Sequence, residues 1–245
     1  MNNPKLVGRT LSYTEEEDAL LLKLRAKNIP YLEIGGLLHR SNDSLRSRVY
    51  QLKQQINAER WPTKDRIGFL DIEADSLDAN FGKLLSWAIK DRGGPIASDS
   101  ITRREAIHSN KLDRRLVQSL VKEMREYDLL VGFYSGDHRF DFPFVRSRAM
   151  YWDAEFPGLG ELYVFDLWPQ VRNKMKLNRN GLENATKFLG IEGKSHIDPR
   201  TWSAAKIGER AAVKEVLAHN LEDVKITEQL FERLLPYMRI TRTSI

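Results

Sequence analysis

The stretch Arg66-Ile67-Gly68-Phe69-Leu70-Asp71-Ile72-Glu73 constrains the chain most. An apolar run ends in two acids spaced i, i+2. On a β-strand, side chains two apart point to one face, so Asp71 and Glu73 project together while Ile72 turns the other way. Carboxylates held that close repel each other and resist desolvation unless a cation sits between them. Hard oxygen ligands favour Mg²⁺ or Mn²⁺. The same pair also suits a plain polar strand end entering a turn, so the rest of the chain must decide.

Composition narrows the field. There is no cysteine, which removes disulfides, thiolate zinc sites and cysteine nucleophiles. The formal charge is +5, which permits nucleic acid as a partner without demanding it. Met1-Asn2-Asn3-Pro4-Lys5 is polar and lacks an apolar signal core. No run is long enough for a membrane span. The expectation is a cytoplasmic chain with no membrane partner and no organic cofactor.

Residues 1–57 read as three short helices. Thr14 and Glu17 form a capping box ahead of a first helix that carries Leu20, Leu21 and Leu24. Asn28 and Pro30 stop it. A second helix fits Tyr31 to Leu38. Ser41 caps a third, from about residue 42 to 54, with Leu45, Val49 and Leu52 inward. Arg46, Arg48 and Lys53 lie on its other faces, and Arg40 just precedes it. A tight turn before a basic third helix is the helix-turn-helix plan. The segment from about residue 9 to 54 resembles the Myb/SANT-like family, with Tyr13 and Tyr31 where that family often has tryptophan. The resemblance implies that Arg40, Arg46, Arg48 and Lys53 meet nucleic acid. On the residues alone, the alternatives for the same basic face are a solvated surface or a protein-binding one. Residues 58–65, with Pro62, read as a linker.

From residue 66 onward the pattern is three strands as a meander, then helix, strand, helix, strand and further helices. The strands fall at 66–73, 83–90, 96–101, 129–134 and 162–166, and the last long helix covers about 209–235. A parallel strand after a helical crossover returns to the same sheet. The fold class is therefore α/β: a ribonuclease H-like mixed five-stranded sheet flanked by helices over residues 66–245, beside the small all-α helix-turn-helix domain.

Two further acids sit in informative surroundings. Asp141 lies in Arg139-Phe140-Asp141-Phe142-Pro143-Phe144, near a helix N-terminus, where it is equally a helix cap. His219 and Asp223 are i, i+4 on one helix face, where they are equally a surface pair. Taken in order, Phe69-Leu70-Asp71-Ile72-Glu73, Phe140-Asp141-Phe142-Pro143-Phe144 and His219-Asn220 with Asp223-Val224 resemble the three motifs of the DEDD (DnaQ-like) 3′–5′ exonuclease superfamily. The likeness is greatest to stand-alone relatives of the family-B DNA polymerase exonuclease domain.

This resemblance implies that Asp71, Glu73, Asp141 and Asp223 hold two Mg²⁺ or Mn²⁺ ions, and that His219 positions the attacking water. Phosphodiester bonds would be hydrolysed from the 3′ end of a nucleic acid, with DNA ahead of RNA, in the company of replication or repair proteins. The sequence departs from the superfamily in two places. Histidine stands four residues before the last Asp, where one subclass has tyrosine and the other places its histidine one residue earlier. Tyr134 or Ser135 occupies a region where relatives often carry a strand-holding Asn. Tyr134, Phe81 and Phe142 are candidates to stack or wedge a base. Asp166 reads as a helix cap, and Lys194, His196 and Asp198 read as a surface loop ahead of the alternative that they reach substrate. The alternatives are a ribonuclease acting on structured RNA, or an inactive DNA-binding regulator or adaptor.

Overall fold

In β1 (Ile67–Ala74) the first four residues are buried and burial then alternates: Phe69 shares a face with the partly exposed Asp71 and Glu73, while Leu70 and Ile72 are buried on the other. The computed structural model describes residues 12–27, 29–60, 65–108, 110–136, 139–193 and 196–245, apart from the side chains of residues 50 and 53–60. Contacts divide the chain into two compact units, Met1–Thr63 and Lys64–Ile245.

The first unit has α1 (Glu15–Ala26), α2 (Tyr31–Leu38) and α3 (Asn42–Arg60). The Thr14–Glu17 capping box is present in both directions. Leu21, Ile34, Leu45, Val49 and Leu52 make a small buried core. Helix α3 runs through Arg60, so the expected linker starts later than composition indicated. Asn57-Ala58-Glu59-Arg60 contains no helix breaker, and propensity carries the helix onward. Residues 61–64 of that linker lie outside the described residues.

In the second unit, β2 (Leu84–Asp91) and β3 (Ile96–Ser100) follow β1 as an antiparallel meander. Next come α4 (Arg103–Ile107), α5 (Arg114–Met124), β4 (Leu129–Gly132), α6 (Asp141–Tyr151), β5 (Tyr163–Asp166) and α7 (Trp168–Lys174). They are followed by α8 (Leu182–Phe188), α9 (Pro199–Lys206), α10 (Arg210–Leu234) and β6 (Thr243–Ser244). Strand β4 lies parallel beside β1 and β5 parallel beside β4, as their helical crossovers require. The sheet order is β3-β2-β1-β4-β5-β6.

The mixed sheet flanked by helices is as expected, with one correction: it has six strands, not five. β6 pairs antiparallel with β5 over two residues, and two residues are too short to show any periodicity. Among the described residues no helix is long and apolar enough to cross a membrane.

Helix α10 lies over β1 on the Phe69 face. Phe231 packs edge-on against Phe69, with ring centroids 5.3 Å apart. Further toward the N-terminus of α10, Asn220 reaches Asp71 and His219 reaches Glu73. The other β1 face meets α5 and α6 through a core that includes Leu70, Ile72, Leu116, Leu120, Phe142 and Val145.

Candidate active site

The central strand delivers the first two acids. Asp71 and Glu73 share the α10 face of β1, and the pairing of β1 with β2 shifts register between Glu73 and Ala74. Such an irregularity re-aims the side chains beside it. Helix α10 delivers the next group. His219 Nε2 sits 3.7 Å from Glu73 Oε1 and 3.9 Å from Asp223 Oδ2, between the two carboxylates. Asn220 is fully buried; its amide donates to Asp71 Oδ2 at 2.5 Å and its carbonyl accepts from Ser86 Oγ at 3.2 Å. Helix α6 delivers Asp141 in its first turn. The Asp141 carboxylate is not a helix cap: its Oδ1 accepts from the backbone N–H of Ile72 at 3.3 Å. Burial, and after it the charge of Asp71, push the Asp141 carboxyl well above the usual carboxylate range, against the pull of that N–H.

Asp71, Glu73, Asp141, His219 and Asp223 thus come together from β1, α6 and α10. Among the described residues, no group of three or more Asp, Glu or His side chains is set to hold a metal ion as it stands. The donor set nevertheless has the chemistry of a hard divalent site. It offers only oxygen and imidazole, and a cation there would offset both the burial of Asp141 and its repulsion by Asp71.

Asn220 was not singled out from the sequence. The available signal is its place in the row Val213, Val216, Asn220, Val224, Thr227, where one amide interrupts a buried apolar face. Nor did the sequence show how the β4–α6 connection is held. Asp166 accepts from Tyr134 N–H and Trp168 N–H at 2.9 Å each, and from Gly136 N–H at 3.2 Å. It also pairs with Arg139 at 3.1 Å. This extends the helix-cap reading of Asp166 to an anchor for the whole connection.

The Arg139 guanidinium lies over the rings of both Tyr134 and Trp168, at 4.4 and 3.9 Å. Tyr134 is half exposed and takes φ +62°, a left-handed conformation that a bulky residue keeps only when its surroundings impose it.

Of the other stacking candidates, Phe81 is exposed, whereas Phe142 is fully buried in the core, where no base can reach it. Phe81 lies on the lip of a groove of about 600 Å³ between residues 75–83 and α6. Lys83, Phe140, Pro143 and Tyr151 also line it; none of the four acids does. His196 lies against Glu183 at 3.3 Å, Asp198 caps α9, and Lys194 falls outside the described residues.

The basic residues of the first unit divide. Arg40 pairs with Glu17 at 3.0 Å and Arg48 with Asp18 at 2.6 Å, and both guanidiniums lie over the Tyr13 ring. These contacts tie α1 to the α2–α3 region. Arg46 keeps 65% of its side chain exposed, and the Lys53 side chain lies outside the described residues.

Comparison with known proteins agrees with this architecture. The chain is 27% identical over 207 residues to DNA polymerase 1 of Pyrococcus abyssi, an alignment covering 70% of this chain and 25% of that protein. The solved family B DNA polymerase of Pyrobaculum calidifontis matches with a TM-score of 0.55 and 20% identity, over 71% of this chain and 25% of that one. The chain therefore spans about a quarter of the length of the polymerases it matches. A family model of the RNase_H superfamily matches residues 68–235. That match covers well over half of the chain and contains all four acids and His219, and the chain belongs to the RNase_H superfamily.

Proposed function

We infer that this protein is a nuclease, and more narrowly a divalent-metal-dependent 3′–5′ exonuclease that hydrolyses phosphodiester bonds, with DNA favoured. The observation that carries this is the meeting of Asp71 with Asp141, and of Glu73 and Asp223 with His219, where the central strand of an RNase H-like sheet meets α6 and α10. The likeness to DNA polymerases supports DNA as substrate. The motif resemblance supports the 3′ end as the point of attack.

Asp71, Glu73, Asp141 and Asp223 would hold two Mg²⁺ or Mn²⁺ ions. When bound, these supply the positive charge that an anionic phosphodiester and its transition state require. The chain's own groups do the positioning. Asn220 fixes the rotamer of Asp71, and the Ile72 N–H fixes that of Asp141. His219 Nε2, held between Glu73 and Asp223, is placed to take a proton from water as its oxygen attacks phosphorus. The bond to the 3′ oxygen breaks, releasing a nucleoside 5′-monophosphate. In this reading Tyr134 and Phe81 are the two stacking candidates whose exposure makes them available to a frayed base.

The test is release of mononucleotide from a 5′-labelled single strand. In Mg²⁺ or Mn²⁺ the label should appear in a ladder shortening from the 3′ end, and EDTA should abolish it. Intact strands under every metal, for both DNA and RNA, would sink the reading and leave an inactive nucleic-acid-binding platform.

The three-helix unit, read as Myb/SANT-like, is proposed to add affinity for nucleic acid. Of the candidate cations Arg40, Arg46 and Arg48, Arg46 is the exposed one, whereas Arg40 and Arg48 are paired with acids of α1. Arg46→Ala in the full chain should lower the slope of log Kd against log salt on duplex DNA by about 1. An unchanged slope would remove Arg46 from the interface.

A further inference from the structure

A second cleft of about 530 Å³ opens between the end of β3, α4 and the start of α10. Its floor is Ile101, Val213 and Leu217, and its rim carries Arg103, Arg210 and Lys214. All three cations are exposed, and among the described residues none of them forms an ion pair. Glu209, whose carboxylate feels the charge of Arg103, is committed to capping α10 through the N–H groups of Ala211 and Ala212. The backbone sets the shape of the cleft. Gly208 turns at φ +71°, and a Cβ there would lie 2.5 Å from the Arg103 Cα.

We propose that this cleft holds the phosphate backbone of the substrate strand a few nucleotides from the cleaved bond, with Arg103, Arg210 and Lys214 as its phosphate contacts. The proposal rests on the nuclease reading above. Two separate connections lead from the cleft to the acids. Along α10, Arg210, Val213, Lys214 and Leu217 form one face at i, i+3, i+4, i+7, and the row continues to Asn220, which holds Asp71. Across the sheet, Ser100 at the cleft pairs with Ser86, which donates to Asn220.

Lys214 and Asn220 are six residues apart, roughly 9 Å along a helix, or about two to three nucleotide rises of a stacked strand. Arg210 and Lys214 stand one turn apart on α10, roughly 6 Å along its axis, a separation that suits neighbouring phosphates of a strand. The floor is apolar, and of the two hydroxyl residues that also line the cleft, Ser100 and Thr102, Thr102 is held by Glu105. The cleft therefore adds affinity chiefly through phosphate contacts.

The experiment compares the full-length protein with R103A/R210A/K214A. Binding of a short single-stranded DNA is followed by fluorescence anisotropy across a potassium chloride series in EDTA. Cleavage is followed in Mn²⁺ on the same strand and on the p-nitrophenyl ester of thymidine 5′-monophosphate, which is too short to reach the cleft. The variant should bind more weakly, with a salt slope reduced by about 2, as expected for three lost single-strand phosphate contacts. Its kcat/KM should fall on the strand and stay unchanged on the ester. An unchanged slope together with an unchanged kcat/KM on the strand would overturn the proposal. A wild-type protein that cleaves neither substrate, with the slope still falling in the variant, would keep the cleft and discard the nuclease.

Discussion

Asp71→Ala should lower metal-dependent mononucleotide release by about a thousandfold or more, equivalent to roughly 4 kcal/mol of transition-state stabilisation. The fold should survive. Two local changes oppose each other. Removing Asp71 takes away the neighbouring charge that, after burial, pushes the Asp141 carboxyl up. It also takes an acceptor from Asn220, which keeps its contact with Ser86. Asp71 is partly exposed, so water can replace it at Asn220. The unfolding free energy should therefore move by no more than about 1 kcal/mol. Kinetics on a labelled strand and a denaturant titration on the same preparation separate the two readouts. A full rate in Asp71→Ala would remove the acids from the chemistry. His219→Ala should retain more activity, because the carboxylates it bridges remain.

The parts legible in the sequence were those with a local period or a local partner. The β1 run shows its faces through alternation, so the shared direction of Asp71 and Glu73 could be read directly. The Thr14–Glu17 box lies within one turn, and α1 and α2 followed from it and from Pro30. Helices α4, α7 and α9 are too short to display a period, and β6 has two residues.

The remaining features share a cause for being hard to read, which is that the deciding partner is distant in the chain. A basic face on α3 reads as a ligand surface until Asp18 is found holding Arg48 from thirty residues away. Phe142 reads as a wedge until the core closes over it. Asp166 reads as a cap for the next helix, but it also reaches back 32 residues to fix Tyr134. The cation-rimmed cleft joins residue 103 to residues 210 and 214, a meeting that only topology creates.

Arg148→Ala should destabilise the second unit by about 3–5 kcal/mol, the range for removing one partner of a buried ion pair. Asp113 is fully buried. It accepts from Arg148 Nε at 2.9 Å and from Arg148 Nη2, and also from Trp152 Nε1 and Leu84 N–H at 2.7 Å each. Without the guanidinium, a buried carboxylate is left with two neutral donors. The denaturant midpoint should fall accordingly, and a change below about 1 kcal/mol would show the pair to be dispensable. Arg148→Lys should recover little, because an ammonium cannot present two parallel bonds to Asp113 while also donating to Ala79 C=O, as Arg148 does at 3.1 Å. The consequence reaches the site. Arg148 lies two turns along α6 from Asp141, and Ala79 belongs to the segment that carries Phe81 over the groove. One buried pair thus holds α6 against α5 and β2 and pins the 75–83 segment to α6. Partial activity in Arg148→Ala below its unfolding transition should therefore show a raised KM for a strand as well as a lowered kcat.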